Sequence, residues 1–85
     1  MSAEVIMYAT QFCPYCMRAR RLLKQKGVEY TEIPVGGDRA LWKEMEQRSG
    51  RNTVPQIFIN GESVGGYDDI AALDRQGKLD QKLGI

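Results

Sequence analysis

Thr10-Gln11-Phe12-Cys13-Pro14-Tyr15-Cys16 holds the only two cysteines of the 85-residue chain, two residues apart. The stretch follows a continuously apolar run, Val5-Ile6-Met7-Tyr8-Ala9, which has the character of a buried central strand. It opens a helix-like run over residues 14–26, with Cys16, Ala19, Leu22 and Leu23 on one face. A thiol pair at a strand-to-helix turn is the layout of a disulfide oxidoreductase, and it makes an α/β fold the expectation.

Cys13 falls at the N-cap and Pro14 at the first helical position, where proline's fixed φ is already helical and its missing N–H loses no partner. The unpaired N–H groups of Tyr15 and Cys16 then face the Cys13 sulfur, and the helix dipole adds positive potential there. Cysteines so placed drop from a pKa of about 8.5 into a range of roughly 3.5–7.5. Cys13 is therefore the expected nucleophile. Cys16, one turn further in and further from solvent, is the expected resolving thiol. A structural disulfide across so short a loop would restrain the unfolded chain little. A closed zinc site takes about four ligands, and the chain has no histidine and no third cysteine, so no metal is expected.

The length suits one domain over residues 1–85, burying about 60–65% of the unfolded chain's surface. Twelve basic residues against eleven acidic ones leave a net charge of +1, which gives no reason to expect nucleic acid or an anionic membrane as partner. No apolar run approaches the ~20 residues of a membrane span. The opening Met-Ser-Ala-Glu lacks the regions of a signal peptide, so a cytoplasmic protein, with cysteines reduced or catalytic, is expected.

After the first helix, Arg18, Arg20, Arg21, Lys24 and Lys26 form a basic face read as solvated, with Gly27 as C-cap. Residues 28–33 alternate as a half-buried strand stopped by Pro34. Asp38 is the expected N-cap of a helix over residues 39–49, whose Leu41, Trp42 and Met45 make an apolar packing stripe. Gln56-Ile57-Phe58-Ile59 is the next strand, and Asn60-Gly61 signals a type I′ hairpin into a short strand around Ser63-Val64. Asp68 or Asp69 opens a last helix to about Gln76, and Leu79, Leu83 and Ile85 form a tail with room for one more turn. Strands joined by a helix are expected to be parallel, and the hairpin pair antiparallel. The result is a mixed four-stranded sheet flanked by helices, with Cys13 at the carboxyl end of a central strand.

Three separated blocks resemble the glutaredoxins, most closely the short bacterial dithiol kind: Cys13-Pro14-Tyr15-Cys16, Thr53-Val54-Pro55 and Gly65-Gly66-Tyr67-Asp68-Asp69. The resemblance runs from Val5 to Leu83 and implies a thioredoxin-like fold with glutathione as co-substrate. It implies a cis bond before Pro55, with the Val54 backbone pairing the cysteinyl unit of glutathione like an added strand. It implies that Gly65 and Gly66 let the ligand approach, with the N–H groups of Tyr67, Asp68 and Asp69 taking the γ-glutamyl carboxylate. Asp69 is favoured for the γ-glutamyl ammonium and Asp68 as partial cap. Arg51, with Gln47 as an alternative, would take the glycyl carboxylate, and Tyr15 would lie across the groove.

The implied activity is reduction of protein–glutathione mixed disulfides and protein disulfides, by a monomer, near a class potential of about −200 to −230 mV. Two departures stand out. Thr10 replaces a lysine common in the family three residues before the nucleophile, so a lysine placed there should lower the Cys13 pKa. Tyr67 replaces a frequent third cysteine. A redoxin served by thioredoxin reductase and a glutathione-ligated [2Fe–2S] carrier are the alternatives. Thioredoxin proper, marked by Trp-Cys-Gly-Pro-Cys, is disfavoured because that motif is absent.

Overall fold

The computed structural model describes residues 3–85. Its elements are β1 (Val5–Ala9), α1 (Pro14–Gln25), β2 (Thr31–Pro34), α2 (Arg39–Ser49), β3 (Gln56–Ile59), β4 (Glu62–Gly65), α3 (Tyr67–Arg75) and α4 (Lys78–Leu83). The four strands form one mixed sheet in the order β2-β1-β3-β4. Among the described residues, no helix is long and apolar enough to cross a membrane.

The two-residue period of a strand divides the interior between the two faces of this sheet. Val5, Met7 and Ala9 of β1, with Ile57 and Ile59 of β3, pack against Cys16, Ala19 and Leu23 of α1 and Ile70 of α3. The intervening Tyr8 and Phe58 point the other way, onto Val35 and Met45, with Leu41 and Trp42 closing that side. Trp42 thus packs, as its place on the α2 stripe predicts. Each fully buried aliphatic side chain contributes about 1.5–3 kcal/mol, so both faces of β1 are anchored and its carboxyl end is a fixed platform. The buried Tyr8 hydroxyl donates to Glu44 Oε2 at 2.6 Å and accepts from Arg48 Nη1 at 2.5 Å.

Local signals behave as their chemistry dictates. Asp38 caps α2, its carboxylate accepting from Leu41 N at 3.0 Å. Asn60 and Gly61 both take positive φ, 52° and 81°, as a type I′ turn requires. The thioredoxin-like arrangement is therefore the one observed.

Two expectations need correction, and a third is met and extended. The second strand forms its ladder over Thr31–Pro34, not residues 28–33, because β1 starts pairing only at Ile6, opposite Thr31. Pro34 ends that ladder opposite Ala9, which an edge strand tolerates because one side needs no donor. Parallel pairing across a helix holds for β1 and β2, yet β3 runs antiparallel to β1. Gln56 lies opposite Tyr8 and Pro34 opposite Ala9, so residues 50–55 return the chain to the end it left. Finally, the tail forms a complete helix, α4, with Leu79 and Leu83 fully buried. Ala3 N donates to Leu83 O at 3.1 Å, and Lys26 reaches Asp74 at 2.6 Å and Asp80 at 2.8 Å.

Candidate active site

Cys13 stands four residues beyond the buried end of β1, at the N-cap of α1, with φ −79° and ψ 122° and Pro14 following it. An extended N-cap turns its side chain back over the first helical turn. Cys16 N donates to Cys13 Sγ at 3.4 Å, and the Cys13 thiol lies 3.7 Å from the Val54 carbonyl oxygen. Both cysteines are free; Cys13 is partly exposed and Cys16 fully buried.

This geometry pulls the two thiols apart electrostatically. Burial pushes Cys13 up, but the Cys16 backbone N–H, the Cys16 thiol, the Tyr15 N–H and the charge of Arg20 together hold it below the ordinary cysteine value. Cys16 is pushed up to about 11, chiefly by burial and then by the neighbouring Cys13, against opposing hydrogen bonds from Thr10. The helix-terminus expectation for Cys13 is met, with one contributor that the sequence reading placed in solvent. Arg20 is not a free basic residue. Its Nε and Nη2 donate to Glu32 at 2.7 and 2.8 Å, and Nη2 also donates to the Thr10 carbonyl at 2.9 Å. The signal available in the sequence was its spacing: Arg20 follows Cys13 by seven residues, two helical turns along the same face.

The nine residues expected to contact glutathione line one groove of about 200 Å³. Tyr15 comes from α1 and is half exposed; Arg51, Thr53, Val54 and Pro55 come from the α2–β3 loop; Gly66, Tyr67, Asp68 and Asp69 come from the start of α3. The Val54–Pro55 bond is cis, as the resemblance implies. Gln47 is exposed on α2 and does not line this groove. On its other side Cys13 borders a depression of about 490 Å³ formed with Thr10, Phe12, Pro34 and Gly36.

The two aspartates exchange the capping role expected of them. Asp69, not Asp68, caps α3: its Oδ2 accepts from Gly66 N at 2.9 Å and from Arg51 Nη1 at 2.8 Å. The Gly66 N–H first, then Arg51, hold the Asp69 carboxyl below its usual range. Asp68 is exposed. The glycine pair also has a purpose within the protein itself. Gly65 has φ +96°, and a Cβ there would collide with the Asp69 carboxylate; a Cβ on Gly66 would come within 3.2 Å of the Pro55 carbonyl oxygen. These glycines admit the protein's own capping group and loop backbone. Gln56, 1% exposed, is a further support missed in the sequence: its Nε2 donates to Thr53 O at 3.0 Å and Thr53 Oγ1 at 3.2 Å. It read only as the first residue of a strand.

The glutaredoxin family model matches residues 5–64. Glutaredoxin 3 of Escherichia coli K12 is 52% identical over 81 residues, covering 95% of this chain and 98% of that protein. A glutaredoxin of Pseudomonas aeruginosa is 49% identical over 79 residues, covering 93% and 94%. The solution structure of a glutaredoxin from Brucella melitensis superposes with a TM-score of 0.85 at 51% identity, over 96% of this chain and 89% of that one. A crystal structure of a buckwheat glutaredoxin–glutathione complex superposes with a TM-score of 0.89 at 30% identity, over 96% and 77%.

Proposed function

The chain belongs to the glutaredoxin family, and on that premise we propose that it is a dithiol glutaredoxin, carrying electrons from glutathione to protein–glutathione mixed disulfides and protein disulfides. Cys13 is the nucleophile. Its thiolate attacks the glutathionyl sulfur; the Cys13–glutathione bond forms as the protein–glutathione bond breaks, and the protein leaves as a thiolate that takes a proton from water. A second glutathione thiolate attacks the glutathionyl sulfur on Cys13, giving glutathione disulfide and free Cys13. Cys16 offers the other exit by attacking the Cys13 sulfur, releasing glutathione and leaving a Cys13–Cys16 disulfide for two further glutathiones to reduce. In the reduced protein the Cys16 thiol is pushed up to about 11 while Cys13 is held down, so Cys13 is the thiolate that starts the reaction.

The observation that carries this reading is the Cys13 sulfur held between the Cys16 N–H and the Val54 carbonyl beside the groove. The groove's chemistry fits a tripeptide with a carboxylate at each end. The first N–H groups of α3, which have no intrahelical partner, suit the γ-glutamyl carboxylate. The exposed Asp68 suits the γ-glutamyl ammonium, since Asp69 is already engaged twice. Arg51 suits the glycyl carboxylate once it leaves Asp69. Val54 would pair with the cysteinyl unit, and Tyr15, Thr53, Pro55, Gly66 and Tyr67 would form the walls. Catalytic thiols kept reduced by glutathione suit a protein working in the cytoplasm.

The test is reduction of a glutathionylated peptide by glutathione, using wild type, Cys13→Ser and Cys16→Ser, with thioredoxin reductase as an alternative reductant. Activity should require glutathione, vanish in Cys13→Ser and survive in Cys16→Ser. Activity supported only by the reductase and lost in both variants would refute the proposal.

A further inference from the structure

Cys13 has a second exposed flank that the glutathione groove does not use. Phe12 is 84% exposed and Met17 54%, although neither side chain is needed to fill the interior. With Gln11, Arg21 and Lys24 they line a shallow depression of about 780 Å³ along the outer face of α1. Scattered exposed apolar residues are ordinary. Here, however, two of the four large exposed hydrophobics among the described residues, Phe12 and Met17, share this flank within four residues of Cys13, while a third, Tyr15, belongs to the groove. Aromatic residues and methionine so gathered mark surfaces that bind other proteins.

The charge on this flank has one sign. Pro14–Gln25 contains no acidic residue. Arg20 is engaged by Glu32, whereas among the described residues Arg21 and Lys24 have no ion-pair partner within 4.0 Å. An apolar floor with a free cationic rim complements a segment that offers an apolar side chain and carboxylates. Glutathione in the groove occupies the Val54 and Asp69 side of Cys13. The protein half of a mixed disulfide is too large to follow it, so it meets the rim that remains.

We propose that the Phe12–Met17–Arg21–Lys24 surface docks the protein half of the substrate and selects cysteines flanked by an apolar residue and by Asp or Glu. The proposal rests on the deglutathionylation reading above, and its test separates the two. Two glutathionylated peptides are compared, one with Leu and Glu flanking the cysteine and one with Leu and Lys. The mixed disulfide of glutathione with 2-mercaptoethanol, which has no protein half, is the third substrate. Wild type should prefer the acidic peptide over the basic one by roughly tenfold in kcat/KM at low salt, and the preference should shrink at 0.5 M salt. Arg21→Glu combined with Lys24→Glu should reverse the preference. Phe12→Ser should lower kcat/KM several-fold for both peptides, and neither variant should change turnover of the small disulfide. Equal rates on the two peptides, or a loss in the variants that extends to the small disulfide, would overturn the docking surface while leaving deglutathionylation standing. No turnover of the small disulfide by wild type would overturn both. Concentration-dependent dimerisation abolished by Phe12→Ser would also overturn it, because the occupant would then be a second copy of this chain.

Discussion

Arg20 is fixed by three hydrogen bonds, two to the Glu32 carboxylate and one to the Thr10 carbonyl, so its charge stands at a constant distance from the Cys13 sulfur. Thr10 occupies the position where a lysine is common in the family, and Arg20 reaches that residue's backbone from the helix instead. Removing the charge disfavours the thiolate, so Arg20→Gln should raise the Cys13 pKa. Because the thiolate is the nucleophile, alkylation rate climbs with pH through that pKa, and the profile should move to higher pH. Thr10→Lys should move it to lower pH, and Arg21→Gln should leave it in place. Iodoacetamide alkylation followed across pH measures all three; an unshifted profile for Arg20→Gln would show that the helix terminus alone holds the thiolate. The two cysteines were legible in the sequence because every group that distinguishes them is local: an N-cap, a proline and one helical turn. Arg20 showed only as a position on the same helix face, because what pins it there is Glu32, twelve residues away on another element.

At the scale of elements, the start of α3 joins two features that the sequence gives separately. The Gly-Gly-Tyr-Asp-Asp block marks a helix start near an anion site, and Arg51 marks a cation in the preceding loop. Which aspartate caps the helix was not legible, since it follows from the positive φ of Gly65 and from Arg51 reaching across at 2.8 Å. On the proposed role of Arg51 as partner of the glycyl carboxylate, Arg51→Gln should raise KM for a glutathionylated peptide several-fold with kcat nearly unchanged. Asp69→Asn should cost about 0.3–1 kcal/mol of stability at pH 7, because it removes the negative charge from the first turn of α3. The sign of its pH dependence follows from the depressed carboxyl. The Asp69 contribution is complete above the ordinary aspartate pKa and disappears as pH falls through its lower folded value. Urea denaturation of the two proteins should therefore differ at pH 7 and converge in strong acid. A gap that persists there would mean the charge is not what stabilises the cap.

For the whole molecule, a mixed sheet with β1 inside it and helices flanking it was legible from the apolar strands and the hairpin, whereas the antiparallel run of β3 was not, because the return of residues 50–55 to the carboxyl end of β1 leaves no mark in the local pattern. The closing helix was legible only as one further turn, since a tail this short has few turns of its own to display a period. Leu79 and Leu83 complete the interior beneath α1 and α3. Leu83→Ala should cost about 2–5 kcal/mol, a large share of the stability of a chain this small. Urea unfolding measures it, and a loss below about 1 kcal/mol would show α4 to be dispensable. The outer strands have a further consequence. β2 and β4 contain four residues each; Pro34 removes one amide from the first, and Glu62 on the second is tied to Lys82 at 2.7 Å. Neither margin offers a long row of unpaired amides as a template for another chain. The sheet that holds Cys13 at its upper end is thus built to resist edge-to-edge stacking into aggregates.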